Sequence, residues 1–294
     1  QAMRGRRVLR KAGWDTHGLP VEIEVEKKLG IEGKEGIEAH GIGPFNQACR
    51  ESVFEYREEW EKLSRRIGFL LDYERPYVTC EPDYIETVWF LLSRFSAAGL
   101  LERGHKVLPW CGRCGTGLSS HEVGQGFKDV EDPSVWVTFP LLDAPGELAG
   151  AALVAWTTTP WTLSSNVVAA VHPELTYVKV RQGDHTLYLA KALLSVLRGD
   201  HQVLAELPGK ELVGLAYRGP FDELPSQRGV EHRVVLWEQV SESEGTGIVH
   251  TAPGAGAEDF KISKERGLTV IAPLDEFGIF IEGFDWLTGK SVFE

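Results

Sequence analysis

Leu153-Val-Ala-Trp-Thr-Thr-Thr-Pro-Trp-Thr-Leu163 reads as a strand that runs into a turn. Branched and aromatic side chains suit a pleated, half-buried surface, and Pro160 removes a ladder donor, so the strand stops there. The same texture recurs on either side of it. Residues 135–139, 167–171, 177–180 and 234–236 are short β-rich runs between Gly, Pro and Asp turns. Helical patches are few, near 190–198 and 257–266. Many short strands with few helices predict a compact β-barrel-like domain.

Upstream the texture is helical. Pro20 opens a helix that Gly30 ends. From Pro44 to Ile67, apolar residues recur at helical spacing, and a further helix is predicted from Pro82 to Ala98 with Gly99 as its stop. This first part is helix-rich, around strands expected to lie mostly outside the chain. Charge shifts near the same place. Residues 1–125 hold 18 Lys and Arg against 19 Asp and Glu, whereas 126–294 hold 13 against 24. A boundary is therefore expected near residue 125, between domains of 1–125 and 126–294, in a chain whose 294 residues suit about two domains.

Composition removes several classes. With 43% hydrophobic and 25% charged residues the chain is not disordered. The net charge of −12 argues against a simple basic coat for nucleic acid. No run approaches the ~18 apolar residues of a membrane span. The start Gln1-Ala2-Met3-Arg4 has no apolar secretory core and does not look like a natural beginning, so a fragment is expected. Four cysteines do not make a disulfide framework and suit a reducing compartment.

Cys111-Gly-Arg-Cys114 places two thiols on a tight turn, half of a tetrahedral zinc site of zinc-ribbon type, or else a turn with two inert thiols. A redox pair would want a helix directly after Cys114, where glycines stand instead. Thr157, Thr158 and Thr159 can donate and accept, and so can hold a polyol or position a water, with Trp161 as a flat apolar face. Equally, threonine is a good strand residue and Trp161 a core one. His250 lies in Gly245-Thr-Gly-Ile-Val-His-Thr-Ala-Pro253, and Asp259 at the start of the 257–266 helix. The first reads as a functional imidazole or a satisfied core histidine, the second as a ligand or a helix-end carboxylate. In Gly13-Trp-Asp-Thr-His-Gly-Leu-Pro20, Asp15 beside Trp14 can bind an ammonium group or form an Asx turn, and His17 is as open.

Taken in chain order, these stretches resemble the isoleucyl-tRNA synthetases. The resemblance is carried by the 13–20 motif, by Pro109-Trp-Cys-Gly-Arg-Cys-Gly-Thr116, Ser120-His-Glu-Val123 and Trp156-Thr-Thr-Thr-Pro-Trp-Thr-Leu163 with Ser165-Asn166, and by the 245–253 motif with Glu258-Asp259. The valyl and leucyl families usually show Thr-Arg-Pro where Thr158-Thr159-Pro160 stands here, and the leucyl family Phe in place of His17.

The resemblance implies an α/β chain: part of a Rossmann-like class I catalytic domain with a zinc-ribbon-like knuckle, followed by most of an inserted, β-barrel-like editing domain. It implies hydrolysis of valyl-tRNA(Ile) by a site in which Asp259 holds the ammonium and His250 walls the side-chain pocket. Thr157, Thr158 and Thr159 would bind the ester, the terminal adenosine or the water, supported by Trp161 and Asn166. In the synthetic half, Asp15, with Trp14 and His17, would bind isoleucine. Cys111 and Cys114 would be a zinc half-site, completed beyond residue 294 or by His121. ATP and magnesium would serve the full-length enzyme. Its HIGH and KMSKS signatures would lie outside the chain, so amino-acid activation by this fragment alone is not expected. A monomeric cytoplasmic protein working on the tRNA(Ile) 3′ end, away from membranes, completes the expectation. Two other readings stay open: a valyl-type editing region, and a non-catalytic zinc-ribbon RNA-binding module.

Overall fold

Gly30 ends the first long helix as expected, in a left-handed conformation (φ 68°) with its N–H on the carbonyls of Glu26 and Lys27. The structure, a computed structural model, describes residues 1–142 and 144–294, without the side chain of Glu147. It divides into two units, Gln1–His105 and Lys106–Glu294.

In the first unit, strand β1 (Lys11–Trp14) is followed by helices α1 (Leu19–Leu29), α2 (Gly33–His40), α3 (Ile42–Ser52) and α4 (Arg57–Arg66). Strand β2 (Asp72–Val78) then returns parallel to β1, and α5 (Pro82–Ala97) follows. Parallel neighbours need such a crossover connection. The single helix expected over 44–67 is two. Lys28 of α1 donates to Ser52 Oγ (3.1 Å) and pairs with Glu55, which pins the break at the turn between α3 and α4. Fully buried apolar side chains are few here: Ala12, Val25, Phe45 and Tyr73. Helix α5 buries none of its residues.

The second unit opens with a hairpin, β3 (Trp110–Cys111) and β4 (Thr116–Gly117), and the short helix α6 (Ser120–Gln125), started by a Ser119–Glu122 capping box. Strands β5 (Val135–Leu142), β6 (Ala152–Thr157), β7 (Val168–Val171), β8 (Thr176–Gln182) and β9 (His185–Ala190) follow. After them come β10 (Gln202–Pro208), β11 (Ala216–Tyr217), β12 (Arg233–Leu236), β13 (Ile248–Thr251) and helix α7 (Ala257–Arg266). One sheet holds β5 to β13 in the order β10-β8-β9-β6-β5-β11-β12-β7-β13. The pairs β6/β9 and β7/β12 are parallel, the rest antiparallel.

The barrel expectation needs correction. The sheet is not a barrel: β10 and β13 are its two edges, and no ladder joins them among the described residues. It curls far enough that β13 runs close to β6, and a bond from Ala190 N–H to the Thr246 carbonyl (2.8 Å) spans the gap without closing it. The division between the two compact units falls after His105, whereas the charge shifts near 125. The hairpin belongs with the second unit because the Trp110 indole donates to the Glu276 carbonyl (2.8 Å) and Gly112 lies against Phe277. A Cβ at Gly112 would stand 2.6 Å from the Phe277 carbonyl oxygen, so only glycine fits. The charge shift therefore trails the structural boundary.

One core, built on Phe139, Leu153, Ala155, Tyr177, Tyr188 and Tyr217, fills the inside of the curl. A second, with Val167, Leu224, Ile271, Phe280 and Phe284, lies under the C-terminal segment. The threonine turn sits between them, since Leu163 belongs to the first and Trp161 packs on the second.

Candidate functional site

Strand β6 ends at Thr157, and Pro160 opens a 3-10 turn, Pro160–Ser165. The threonines fold on themselves. Thr159 N–H donates to Thr157 Oγ1 (3.1 Å), whose oxygen lies 3.3 Å from Thr159 Oγ1. Thr162 Oγ1 donates to the Thr159 carbonyl (2.7 Å). Thr157 and Thr162 are buried while Thr158 and Thr159 are exposed, so hydroxyls sit where core meets solvent.

His250 stands on edge strand β13, opposite Ala169 of β7. Its Nε2 lies 3.0 Å from Thr162 Oγ1 and its Nδ1 2.7 Å from Asn166 Nδ2. Asn166 is fully buried, donates also to the Val168 carbonyl (3.3 Å), and accepts from the Tyr217 hydroxyl on Oδ1 (2.7 Å). An amide nitrogen can only donate, so Nδ1 of His250 accepts and the ring proton sits on Nε2. Burial lowers the His250 pKa to about 4, with a hydrogen bond to the Thr162 backbone acting the other way. The ring is neutral and both nitrogens are engaged. It is not placed to take a proton from a substrate.

Asp259 occupies the first turn of α7 and accepts the Ala252 N–H on Oδ2 (2.8 Å), two residues beyond His250. Burial pushes its carboxyl above the usual range, the Ala252 bond opposes that, and Glu258 adds to it. Its other oxygen accepts no bond from the described residues. The threonine turn, Asn166, His250 and Asp259 thus converge at the ends of β6, β7 and β13. Two residues named from the sequence behave differently. Thr158 makes no side-chain bond within the described residues, and Trp161 turns away into the second core.

The first unit holds a second cluster. Thr79, just past β2, has its Oγ1 3.1 Å from His17 Nδ1 and 3.4 Å from Asp15 Oδ1, and it accepts the Thr16 N–H (3.0 Å). Asp15 and His17 line a cleft of about 590 Å³ with Tyr77, Ile85, Val88 and Trp89. A Cβ at Gly13 beside it would lie 2.2 Å from the Tyr77 ring, so a larger residue there would have to push that exposed ring aside. Trp14 does not line this cleft. Its ring lies under the Arg57 guanidinium at 5.8 Å, and its indole N–H is buried without a partner.

Cys111 and Cys114 stand on the tip of the β3–β4 hairpin, where left-handed Gly115 (φ 61°) donates its N–H to the Cys111 carbonyl (2.8 Å). Burial, then the neighbouring Cys111 thiol, raise the Cys114 pKa. Two thiols on such a turn fit half of a tetrahedral zinc site. Among the described residues no third His, Cys, Asp or Glu joins them, and His121 is instead 2.9 Å from Gln125. No helix of the described residues is long and apolar enough to cross a membrane.

Sequence reasoning missed Tyr217, Thr162 and Thr79 as parts of these clusters. Thr162 stood inside a quoted motif, and Thr79 precedes the helix-opening Pro82. Tyr217 carries no local signal, since its partner lies 51 residues away.

The sequence matches the family described as tRNA synthetases class I (I, L, M and V) over residues 1–265. It is 51% identical to the isoleucine–tRNA ligase of Thermus thermophilus, a match covering 98% of this chain and 28% of that protein. Against the isoleucine–tRNA ligase of Clostridium tetani the identity is 47%, over 99% of this chain and 28% of the relative. The chain thus spans under a third of these relatives' length. Among solved structures it is similar to GlLeuRS-CP1 (TM-score 0.39, 18% identity, 45% of this chain and 60% of that one). It is also similar to the editing domain of the Plasmodium knowlesi cytosolic leucyl-tRNA synthetase (TM-score 0.32, 16% identity, 40% and 52%).

Proposed function

We propose that this chain, which belongs to the class I tRNA synthetases, is the part of an isoleucine–tRNA ligase that carries hydrolytic editing, the deacylation of valyl-tRNA(Ile). The observation that carries the proposal is the threonine turn joined to His250 by hydrogen bonds, with the Asp259 carboxylate held by the N–H of Ala252, two residues beyond His250.

An apolar pocket rejects an amino acid one methylene smaller by only ~1–3 kcal/mol, so a ligase for isoleucine needs a second site for valyl products. In that site the Asp259 oxygen without a hydrogen-bond partner takes the ammonium of the misattached amino acid. Thr157, Thr158 and Thr159 supply hydroxyls to the ester, the terminal ribose and the attacking water. His250 holds the turn and walls the side-chain pocket, supported by Asn166, while Trp161 anchors the turn from the far side. No protein nucleophile is called for. An ester yields to a positioned water when donors meet its developing oxyanion.

In the first unit, Asp15 takes the ammonium of isoleucine, His17 is held beside it by Thr79, and Ile85, Val88 and Trp89 meet the side chain. Trp14 supports the loop from beneath. Cys111 and Cys114 supply two of four zinc ligands to a structural site. ATP, with magnesium, serves activation in the full-length enzyme, a cytoplasmic monomer in this proposal.

Deacylation separates the alternatives. Release of valine from valyl-tRNA(Ile) by the full-length protein is the expected result. Release of threonine from threonyl-tRNA(Val) would assign the region to the valyl family, and RNA binding without release would make it a binding module only.

A further inference from the structure

Tyr217 lies deep in the second unit, on β11, at 1% exposure. Its ring stacks on Phe139 (centroids 4.9 Å apart) and meets the His232 ring at 5.3 Å. His232 is itself pinned, Nδ1 at 3.1 Å from the Val167 carbonyl and Nε2 at 3.0 Å from Asp222. The phenol therefore has one place to go. Its O–H donates to Asn166 Oδ1 at 2.7 Å, and burial raises its pKa well above the ordinary value, so the proton stays.

We infer that Tyr217 is a positioning residue of the editing site: its hydroxyl fixes the orientation of the Asn166 amide, and thereby keeps the His250 proton on Nε2. The inference rests on the deacylase reading above. The bonds run in one direction, from Tyr217 O–H to Asn166 Oδ1, from Asn166 Nδ2 to His250 Nδ1, from His250 Nε2 to Thr162 Oγ1, and from Thr162 to the Thr159 carbonyl. Turning the Asn166 amide over reverses them. Its oxygen would face the Val168 carbonyl, His250 would carry its proton on Nδ1, and Thr162 would donate to Nε2. The Thr159 carbonyl would then lose the Thr162 hydroxyl and keep only the Thr162 N–H (3.0 Å), in the turn that presents the hydroxyls of Thr157 and Thr159. Tyr217 and the Val168 carbonyl both select the observed direction. Only the phenol supplies a donor to Asn166 Oδ1 within the described residues.

Tyr217→Phe keeps the ring and its stacking and removes only the hydroxyl. In the chain labelled with 15N in its histidine rings, with His250→Gln to identify the resonance, the wild type should show a bare Nδ1 and a protonated Nε2. Tyr217→Phe should introduce the Nδ1-protonated form, and in the full-length protein should lower kcat for valyl-tRNA(Ile) deacylation about tenfold with KM little changed. Combined with His250→Ala, Tyr217→Phe should add nothing further, because it acts through that ring. An unchanged tautomer, a changed tautomer with unchanged kcat, or additive losses in the double variant would each overturn the inference. A wild type that releases no valine would sink the deacylase reading instead, and the tautomer would still report on Tyr217.

Discussion

Each unit builds a cluster around a threonine, and the two are finished to different degrees. In the second, Thr162 is buried and linked to His250, Asn166 and Tyr217, all within the core. In the first, Thr79 holds Asp15 and His17, whose side chains are 80% and 67% exposed. The surroundings differ in the same sense. The second unit closes a core around Phe139, Leu153 and three tyrosines, whereas α5 of the first presents Trp89, Phe90 and Phe95 to solvent. A polar group buried with every partner in place holds one geometry, because each alternative leaves an unmet donor or acceptor. An exposed cluster has water as an alternative partner. The second site is therefore set by this chain alone, and the first has room to be shaped by whatever binds there. Apolar surface as extensive as that on α5 marks an interaction face.

The widest separation between the two is chemical. Asp259→Ala in the full-length protein should lower deacylation of valyl-tRNA(Ile) at least about 100-fold, since a lost charge-assisted bond costs ~1.5–3 kcal/mol before misplacement of the ester is counted. Isoleucine activation should stay nearly intact. Asp15→Ala should do the reverse, depressing activation and sparing deacylation. If either variant damages both activities alike, that carboxylate is structural and the two sites are not independent.

Acid should unfold the second unit through His250. Its pKa is about 4 in the fold against an ordinary 6.5, so between those values the unfolded chain binds the extra proton. The stability this contributes is present above pH 6.5 and is lost as pH falls toward 4, by up to about 3 kcal/mol. Asp259 acts with the opposite sign. Its raised carboxyl is protonated first in the folded state, which favours folding on acidification and offsets part of the loss. Denaturant unfolding of the chain at pH 7 and pH 4.5, compared with His250→Gln, measures the difference. A wild type and variant with the same pH dependence would show that the ring is not buried as described.

What could be read from the sequence follows the same division. Helices α1, α5 and α7 are set by local signals, a proline at the start of the first two and a glycine at or just past the end of each, and their bounds match closely. The break between α3 and α4 depends on Lys28, a contact from another helix, and no window of sequence holds it. Strand β13 has four residues in a glycine-rich stretch, too short for an alternating pattern to register. The barrel expectation failed on closure, because strand count is visible in a sequence and the pairing of two edges is not. His250 and Thr162 each stood in a quoted motif, but 88 residues separate them, and only the fold joins them.

A smaller effect tests the wall. His250→Ala removes the ring beside the threonine turn, and if that ring excludes the extra methylene of isoleucine, isoleucyl-tRNA(Ile) should now be hydrolysed. The gain should be about tenfold, the lower range of what one methylene is worth in a pocket. Valyl ester hydrolysis should fall at the same time, because Thr162 loses its partner. Slower valyl cleavage with the isoleucyl ester untouched would leave His250 as an anchor for the turn and nothing more.

The smallest effect belongs to α5 and bears on the unfinished unit. Phe90 is 63% exposed and does not line the Asp15 cleft, so Phe90→Ser removes little that the fold has buried. In this chain it should change the unfolding free energy by no more than about 0.5 kcal/mol, as for surface positions in general. A fully buried ring such as Phe139 would cost ~3–5 kcal/mol on truncation to alanine, so the contrast is readily measured. In the full-length protein the same Phe90→Ser should cost several times more, because a face this apolar calls for a covering partner. Chemical denaturation of both lengths, with and without the substitution, gives the two differences. Equal small costs would mean that α5 faces water in both, and the exposed clusters of the first unit would then be its working state.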